Sequence, residues 1–455
     1  MLGLNGALSV ASQALQAQYA GLSVTNNNIA NVNTPGYSRQ IVSLSAQASA
    51  VNGVSVDAGV SYDGYSSVRD SVLNASINDK TSAQASLTAQ SALLAQVNGA
   101  FASSTSGIGA GMSSLFSSLS ALSTNPADNA SRQAVLTSAN QLASTFHQGA
   151  AALSSATSSA NQQITSTVAK INELATQIAT LNGQLAQVDA TGANGGSLQD
   201  QRDQAMTQLA GLTGISTIQT DATPTVTMAS GSPLVLGVTV SRLQIANGAA
   251  GFVRIVDANG NDITASLTGG TLGGLLAARD STLPTLSNQL DTLASQFSDA
   301  MNSAQAAGTD ATGASGSPLF SNATGSGAAA NMEVALTDPR GIAVSSDGSS
   351  GSSGNLSRFL AVQTSALPSG LAPGDAYASL VYNVGAAGAR VSSDLSATTA
   401  SLTQLTSQRD SQSGVSVDEE ATNLIRFQQG YTAAARVIST LTQCYSVLMN
   451  MGSGS

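Results

Sequence analysis

Charge is scarce in this chain of 455 residues. Asp, Glu, Lys and Arg make up 9%, against about 25% in ordinary globular proteins. The only lysines are Lys80 and Lys170. The imbalance runs the other way, with a net charge of −10 and a pI near 4.4. Nucleic acid and anionic membrane surfaces are therefore excluded as partners. Trp is absent and aromatics make up 4%, so any core must come from Ala, Leu, Val and Ile on long helices. Cys444 stands alone, which rules out an internal disulfide framework. Its place just off an apolar stripe suggests a small, half-buried residue. No apolar run reaches 18 residues, so no membrane insertion is expected. The first 38 residues hold no Asp, Glu, Lys or Arg, and so lack the basic start of a secretory signal.

Catalytic patterns are missing too. Neither lysine follows a glycine as a phosphate-binding loop requires. His147 is the only histidine, so no H-E-x-x-H zinc motif can form. Asp257 to Asp262 begins like a calcium loop but has Asp262 where the turn glycine belongs, and it reads as a β-turn. Four glutamates form no recognisable carboxylate pair. No catalytic, metal or cofactor-binding residue is assigned, and no enzyme activity or cofactor is expected.

What the sequence does hold is helical periodicity. From Ser416 to about Asn450, Leu424, Phe427, Tyr431, Ala434, Ile438, Leu441, Tyr445 and Leu448 alternate three and four apart. That is a seam of period 3.5, which needs a partner helix. Ser416 and Glu419 read as a capping box at its start. Residues 1–31 form a second helix, with Leu8, Leu15, Leu22 and Ile29 every seven and Ala11, Gln18 and Thr25 between them. Its seam is weaker, and it is a candidate partner that covers part of the last helix's stripe. Thr34-Pro35-Gly36-Tyr37 ends it, with Pro35-Gly36 suited to the centre of a type II turn.

Between the ends, 41–62 reads as a hairpin and about 63–100 as a helix. A helix over 112–122 ends at Asn125-Pro126, where Asn125 caps a long helix carrying Ile171, Leu174, Ile178, Leu181, Leu185 and Val188. Ser197 caps another helix to Leu212. Residues 215–267 carry Thr, Val and Ile with period-two fragments and turn signals. Helical pattern resumes near Asp280, with Pro284 in the first turn, and again at 356–363 and 377–410. The fold class expected is mainly α with a β insertion. Three parts are expected: a terminal coiled coil from 1–62 with 411–455, a helical bundle from 63–213 with 276–410, and a β-rich outer domain at 214–275.

The string Asn28-Ile29-Ala30-Asn31-Val32-Asn33-Thr34-Pro35-Gly36-Tyr37 resembles the rod/hook motif of the flagella basal body rod/hook protein family, the bacterial flagellar axial proteins. Ser123–Asp128, Arg132–Leu136, Asp200–Gln204 and Leu290–Ala294 are similar to segments of its hook-associated members. The longest match runs from Gln404 to Asp410 and on through Ser413–Glu420 to Asn423–Gln429. This resemblance implies an extracellular structural subunit, exported by the flagellar type III system with an export chaperone and stacked into a ring or tube at the hook tip. It implies self-association and contact with the hook protein, a second junction protein and flagellin. The assembly residues it suggests are Leu8, Leu15, Leu22, Ile29, Asn31, Thr34, Pro35, Gly36, Tyr37, Leu424, Phe427, Tyr431, Ile438, Leu441, Tyr445 and Leu448. The short stretch from Phe320 to Arg340 implies that an outer domain of some relatives is absent. The alternatives are another axial protein of hook or distal rod, or a secreted surface-binding protein that uses the β domain.

Overall fold

A computed structural model describes residues 2–51, 54–101, 107–191, 195–218, 224–349 and 351–452. The chain begins with α1 (Leu2–Ala30), the strands β1 (Gln40–Val51) and β2 (Val54–Ser67), and α2 (Ser71–Phe101). Next come α3 (Ile108–Thr124), α4 (Asn129–Thr191) and α5 (Gly196–Leu212). Six short strands follow: β3 (Ile215–Ile218), β4 (Thr225–Met228), β5 (Pro233–Leu236), β6 (Thr239–Val240), β7 (Gln244–Asn247) and β8 (Val253–Val256). Then α6 (Gly270–Ala277) and α7 (Leu283–Ala306) precede β9 (Phe320–Ser321), α8 (Ala328–Asn331) and β10 (Glu333–Val334). The chain closes with α9 (Leu356–Val362), α10 (Pro373–Ser413) and α11 (Val417–Gly452). The protein is 68% helical with a few small sheets, which is the expected mainly-α class with β insertions.

Two compact units divide the chain. One holds Met1–Ser82, Lys170–Leu243 and Thr399–Ser455, the other Ala83–Ala169 and Gln244–Thr398. The β-rich stretch contributes to both: β3 to β6 form one antiparallel sheet in the first, and β7 and β8 pair in the second.

In the first unit β1 and β2 form a long antiparallel hairpin with two register shifts. It packs on α1, where Gly59 sits against Val10 and the side chain of Gln13. The three-four stripe of α4 is buried as its spacing suggests, from Ile171 through Leu185. Polar residues on that helix hold the sheet connections. The Asn172 amide donates to the Leu243 carbonyl at 2.8 Å and accepts from its N–H at 2.9 Å. Asn182 donates to the Gly237 carbonyl at 2.8 Å.

The second unit has the aromatic core. Phe297 meets Phe116 edge-on at 6.1 Å and Phe320 at the same separation. The long glycine- and serine-rich connection from 308 to 355 has little regular structure, so buried side chains satisfy its backbone. Asn355 donates to the carbonyls of Ala304 and Ala343. Gln305 bridges Gly341 and Ala343. Asp291 accepts from the N–H groups of Gly327 and Ala329, and Arg132 donates to the carbonyls of Pro126 and Ile342.

Several boundaries differ from the sequence expectations. β2 runs on to Ser67, so α2 starts at Ser71 rather than 63. Asp70 caps it by accepting from Val72 and Leu73 N–H at 3.0 Å. The cap of α4 is Asp128, not Asn125: its carboxylate takes the Ser131 N–H and hydroxyl. Residue 195, a glycine, occupies the start of α5, so Ser197 lies inside the helix. The largest difference is at 270. Helical structure begins there and continues through a π-helical turn, Ala278–Thr282, into α7. Glycine disfavours helix, but close approach requires it at Gly273 and Gly274. A Cβ on Gly273 or Gly274 would collide with the main chains of Thr268 and Ser86. Pro284 therefore lies within a continuous helix, and the wide turn before it accommodates the missing N–H.

Replacing Phe297 with Ala removes a side chain that touches two other rings in a sealed core. The expected loss is about 3–5 kcal/mol, read as a lower midpoint in chemical denaturation of the full chain.

Candidate assembly surface

The surface is built from α1, α11 and the loop that follows α1, all in the first unit. The two helices pack closely. A Cβ on Gly21 would fall 2.5 Å from the Phe427 ring, and one on Gly430 would fall 2.6 Å from the Gln18 side chain. Three residues down α1 thus match three residues up α11, and the pair is antiparallel. The stripe of α1 at this contact is Ala11, Gln18 and Thr25 with Gly21 and Asn28, of which Ala11, Gly21, Thr25 and Asn28 are buried. The expected leucine stripe lies to one side. Leu8 is 41% exposed, and Leu15, Leu22 and Ile29 are half-buried. Small residues face the partner because only they let a phenylalanine ring approach the backbone.

On α11, Leu424, Phe427, Tyr431, Ile438 and Leu441 are half-buried and Ala434 is buried. Cover then stops. Tyr445 is 52% exposed and Leu448 59%, and Val447, Met449 and Met451 are exposed beside them. The antiparallel match explains this: the last turns of α11 run past Leu2. Cys444 lies in this tail and is exposed rather than half-buried.

The loop after α1 is held from inside. Asn28 is 1% exposed and donates to the Gln40 carbonyl at 2.8 Å. Its carbonyl oxygen accepts from the Gln40 N–H at 2.9 Å and the Tyr37 hydroxyl at 3.0 Å. Asn31 accepts from the Thr34 hydroxyl and donates to the Asn27 carbonyl. The Tyr37 N–H donates to the Thr34 carbonyl at 3.2 Å and Gly36 has φ +80°, which is the expected type II turn. Thr34, Pro35 and Gly36 are exposed and Tyr37 is half-buried. An open groove of about 1250 Å³ runs beside the loop, lined by Pro35, Tyr37, Arg69, Asn78, Asp203 and Arg409 among others.

Charged residues absent from the sequence-based set join the other segments to this loop. Arg69 donates to Asp200 at 2.6 Å, Asp203 at 2.9 Å and the Gly196 carbonyl at 3.0 Å. Asp200 also accepts from the Ser38 N–H at 3.4 Å. Burial pushes the carboxyls of Asp200 and Asp203 above the ordinary carboxylate range, outweighing the opposing pull of Arg69. Arg39 donates to Glu419 at 2.7 Å and Glu420 at 3.0 Å. The capping box is half formed: the Ser416 hydroxyl accepts from the Glu419 N–H at 3.5 Å, while the Glu419 side chain turns to Arg39. One signal in the sequence did mark Arg39, as the first charge after 38 neutral residues. Among the described residues, no three His, Cys, Asp or Glu side chains gather to hold a metal, and no helix is long and apolar enough to cross a membrane.

Three family models match the chain in succession. The flagella basal body rod protein model covers residues 8–37, the flagellar hook-associated protein FlgK helical domain covers 94–320, and the flagellar basal body rod FlgEFG protein C-terminal model covers 406–451. The flagellar hook-associated protein 1 of Escherichia coli is 28% identical over 98% of this chain and 100% of its own length. That of Bacillus subtilis is 28% identical over 98% of both. The chain belongs to the flagellar hook-associated protein 1 family. Its fold is similar to that of the flagellar hook junction protein FlgK from Burkholderia pseudomallei, with a TM-score of 0.67 at 20% identity, over 74% of this chain and 100% of that one. The E. coli alignment spans 547 positions, more than this chain has residues, so that family member carries sequence missing here. The two terminal models fall on α1 with its loop and on the end of α10 with α11, the elements that meet in this surface.

Two measurements check this geometry. Gly21→Ala should push the Phe427 ring off α1 and weaken the helix pair by about 1–3 kcal/mol, seen as faster hydrogen exchange along α11. Tyr37 should titrate late. Burial first, then the charges of Asp200, Tyr65 and Glu420, raise its phenol to about 12 from 10.0. The folded value exceeds the unfolded one, so this contribution to stability is whole below pH about 10 and is lost as pH rises toward 12. Burial also raises Tyr62 and Tyr377, so absorbance titration at 295 nm should show several late phenolates, of which Tyr37→Phe removes one.

Proposed function

We propose that this chain is an extracellular structural subunit of the bacterial flagellum that joins hook to filament. The observation that carries the reading is the apolar end of α11, from Tyr445 to Met451, which is exposed and which none of the described residues covers. A soluble monomer gains nothing from such a tail, whereas a tube of copies buries it between neighbours. Membership of the hook-associated family supports the place in the flagellum.

In this reading the paired terminal helices form the inner layer of a ring or tube at the hook tip. Leu8, Leu15, Leu22 and Ile29, left at the side of the α1–α11 contact, face adjacent copies along with Tyr445 and Leu448. The exposed Thr34-Pro35-Gly36 turn presents a fixed shape to a neighbouring subunit. The partners are further copies, the hook protein below, and a second junction protein and then flagellin above. A chaperone shields the tail during passage through the flagellar type III export channel. The subunit is not an enzyme. The structural character of the family and the scarcity of His, Cys and Lys both favour this.

Deleting residues 430–455 should abolish incorporation at the hook tip and motility while the second unit stays folded. Immunolabelling of isolated hooks and circular dichroism of the purified chain would show it. A truncated chain that still occupied hook tips would refute the proposal.

A further inference from the structure

Heptad stripes carry a translational ambiguity. The α1 positions at the contact, Ala11, Gln18 and Thr25, repeat every seven residues, and the stripe of α11 repeats over the same interval. Sliding one helix by seven residues, about 10 Å, brings the same two stripes face to face again. Only two close fits at the contact resist this. Its α1 side is Ala11, Gln18, Gly21, Thr25 and Asn28, and its close fits are Phe427 on Gly21 and Gln18 on Gly430. A charged contact adds to that selection.

We propose that Arg39 sets the register of α11 on α1. Its main chain is fixed on both sides. The Arg39 N–H donates to the Ser413 carbonyl at 2.8 Å, and its carbonyl accepts from the Val68 N–H at 2.8 Å. The next residue, Gln40, is locked to Asn28 near the end of α1 by two hydrogen bonds. The guanidinium therefore stands at a set height beside α1. From there its Nε reaches Glu420 at 3.0 Å and its Nη1 reaches Glu419 at 2.7 Å, in the first turn of α11. Glu420 is 2% exposed. A shift of seven residues one way would bring Arg426 and Phe427 to the guanidinium, and the other way Gln412 and Ser413. None of these is a carboxylate, so Arg39 would lose both of its acidic partners. A buried polar pair of this kind adds little net stability but penalises every other alignment. The role belongs to the helix pair itself and holds wherever the chain assembles.

The test is a distance measurement on the full-length chain. Spin labels go on exposed positions of the two helices, Tyr19→Cys and Ser439→Cys, in a Cys444→Ser background. The unaltered clasp should give a single distance. Arg39→Ala and Arg39→Glu should each add a second population, displaced by about 10 Å along the pair. Arg39→Glu combined with Glu420→Arg should restore the single distance. One unchanged distance in Arg39→Ala overturns the inference. So does a broad distribution with lost helicity, which would make Arg39 a stabilising residue without a role in register. Absence of a defined distance in the parent overturns it together with the helix pairing, independently of the flagellar reading.

Discussion

The close approach of α1 to α11 is the constraint on which the terminal region depends. A phenylalanine ring lies on the backbone of one helix because Gly21 has no side chain, and Gly430 receives Gln18 in return. Such a contact buries modest apolar area. Helices of this kind are marginal without tertiary cover, so the pair needs support from its surroundings. The hairpin β1–β2 gives it on the side of Val10 and Gln13. Ala17 and Val24, one and two heptads beyond Val10, are buried on that side.

The polar network at the base of the pair does a different job. Asn28, Tyr37 and Gln40 satisfy one another, Arg39 engages the start of α11, and Arg69 gathers α5. In a chain with 9% charged residues, this concentration of arginines and carboxylates is notable for its place rather than its number. Apolar stripes hold helices together without fixing their alignment, while hydrogen bonds and ion pairs have one satisfied geometry. The same division appears in the second unit. There the phenylalanine cluster supplies cohesion, and Asn355, Gln305 and Asp291 define the path of an otherwise irregular connection.

Membership of the flagellar hook-associated protein 1 family gives these features a common sense. In the proposed tube, the exposed apolar end of α11 would be buried between neighbouring copies. Low aromatic content and long helices of Ala, Ser and Thr fit the proposal that copies share cohesion.

The sequence by itself determined the two terminal helices, their heptad periods, the type II turn at Pro35-Gly36 and the buried stripe of α4. Each is local, since periodicity and turn chemistry act over a few residues. Tertiary structure decided the rest. Periodicity names a face but not its partner, so only packing could show that Gly21 and Thr25 meet α11 while the leucines lie to the side. The bond from Arg39 to Glu420 joins residues 381 positions apart, and no local pattern encodes it. The sequence pattern starts the helical run of α7 near Asp280, whereas helical structure begins at Gly270, where packing of Gly274 on the Ser86 backbone leaves no room for a Cβ. Local preference sets which segments can be helices, and close contact between distant segments sets how they align.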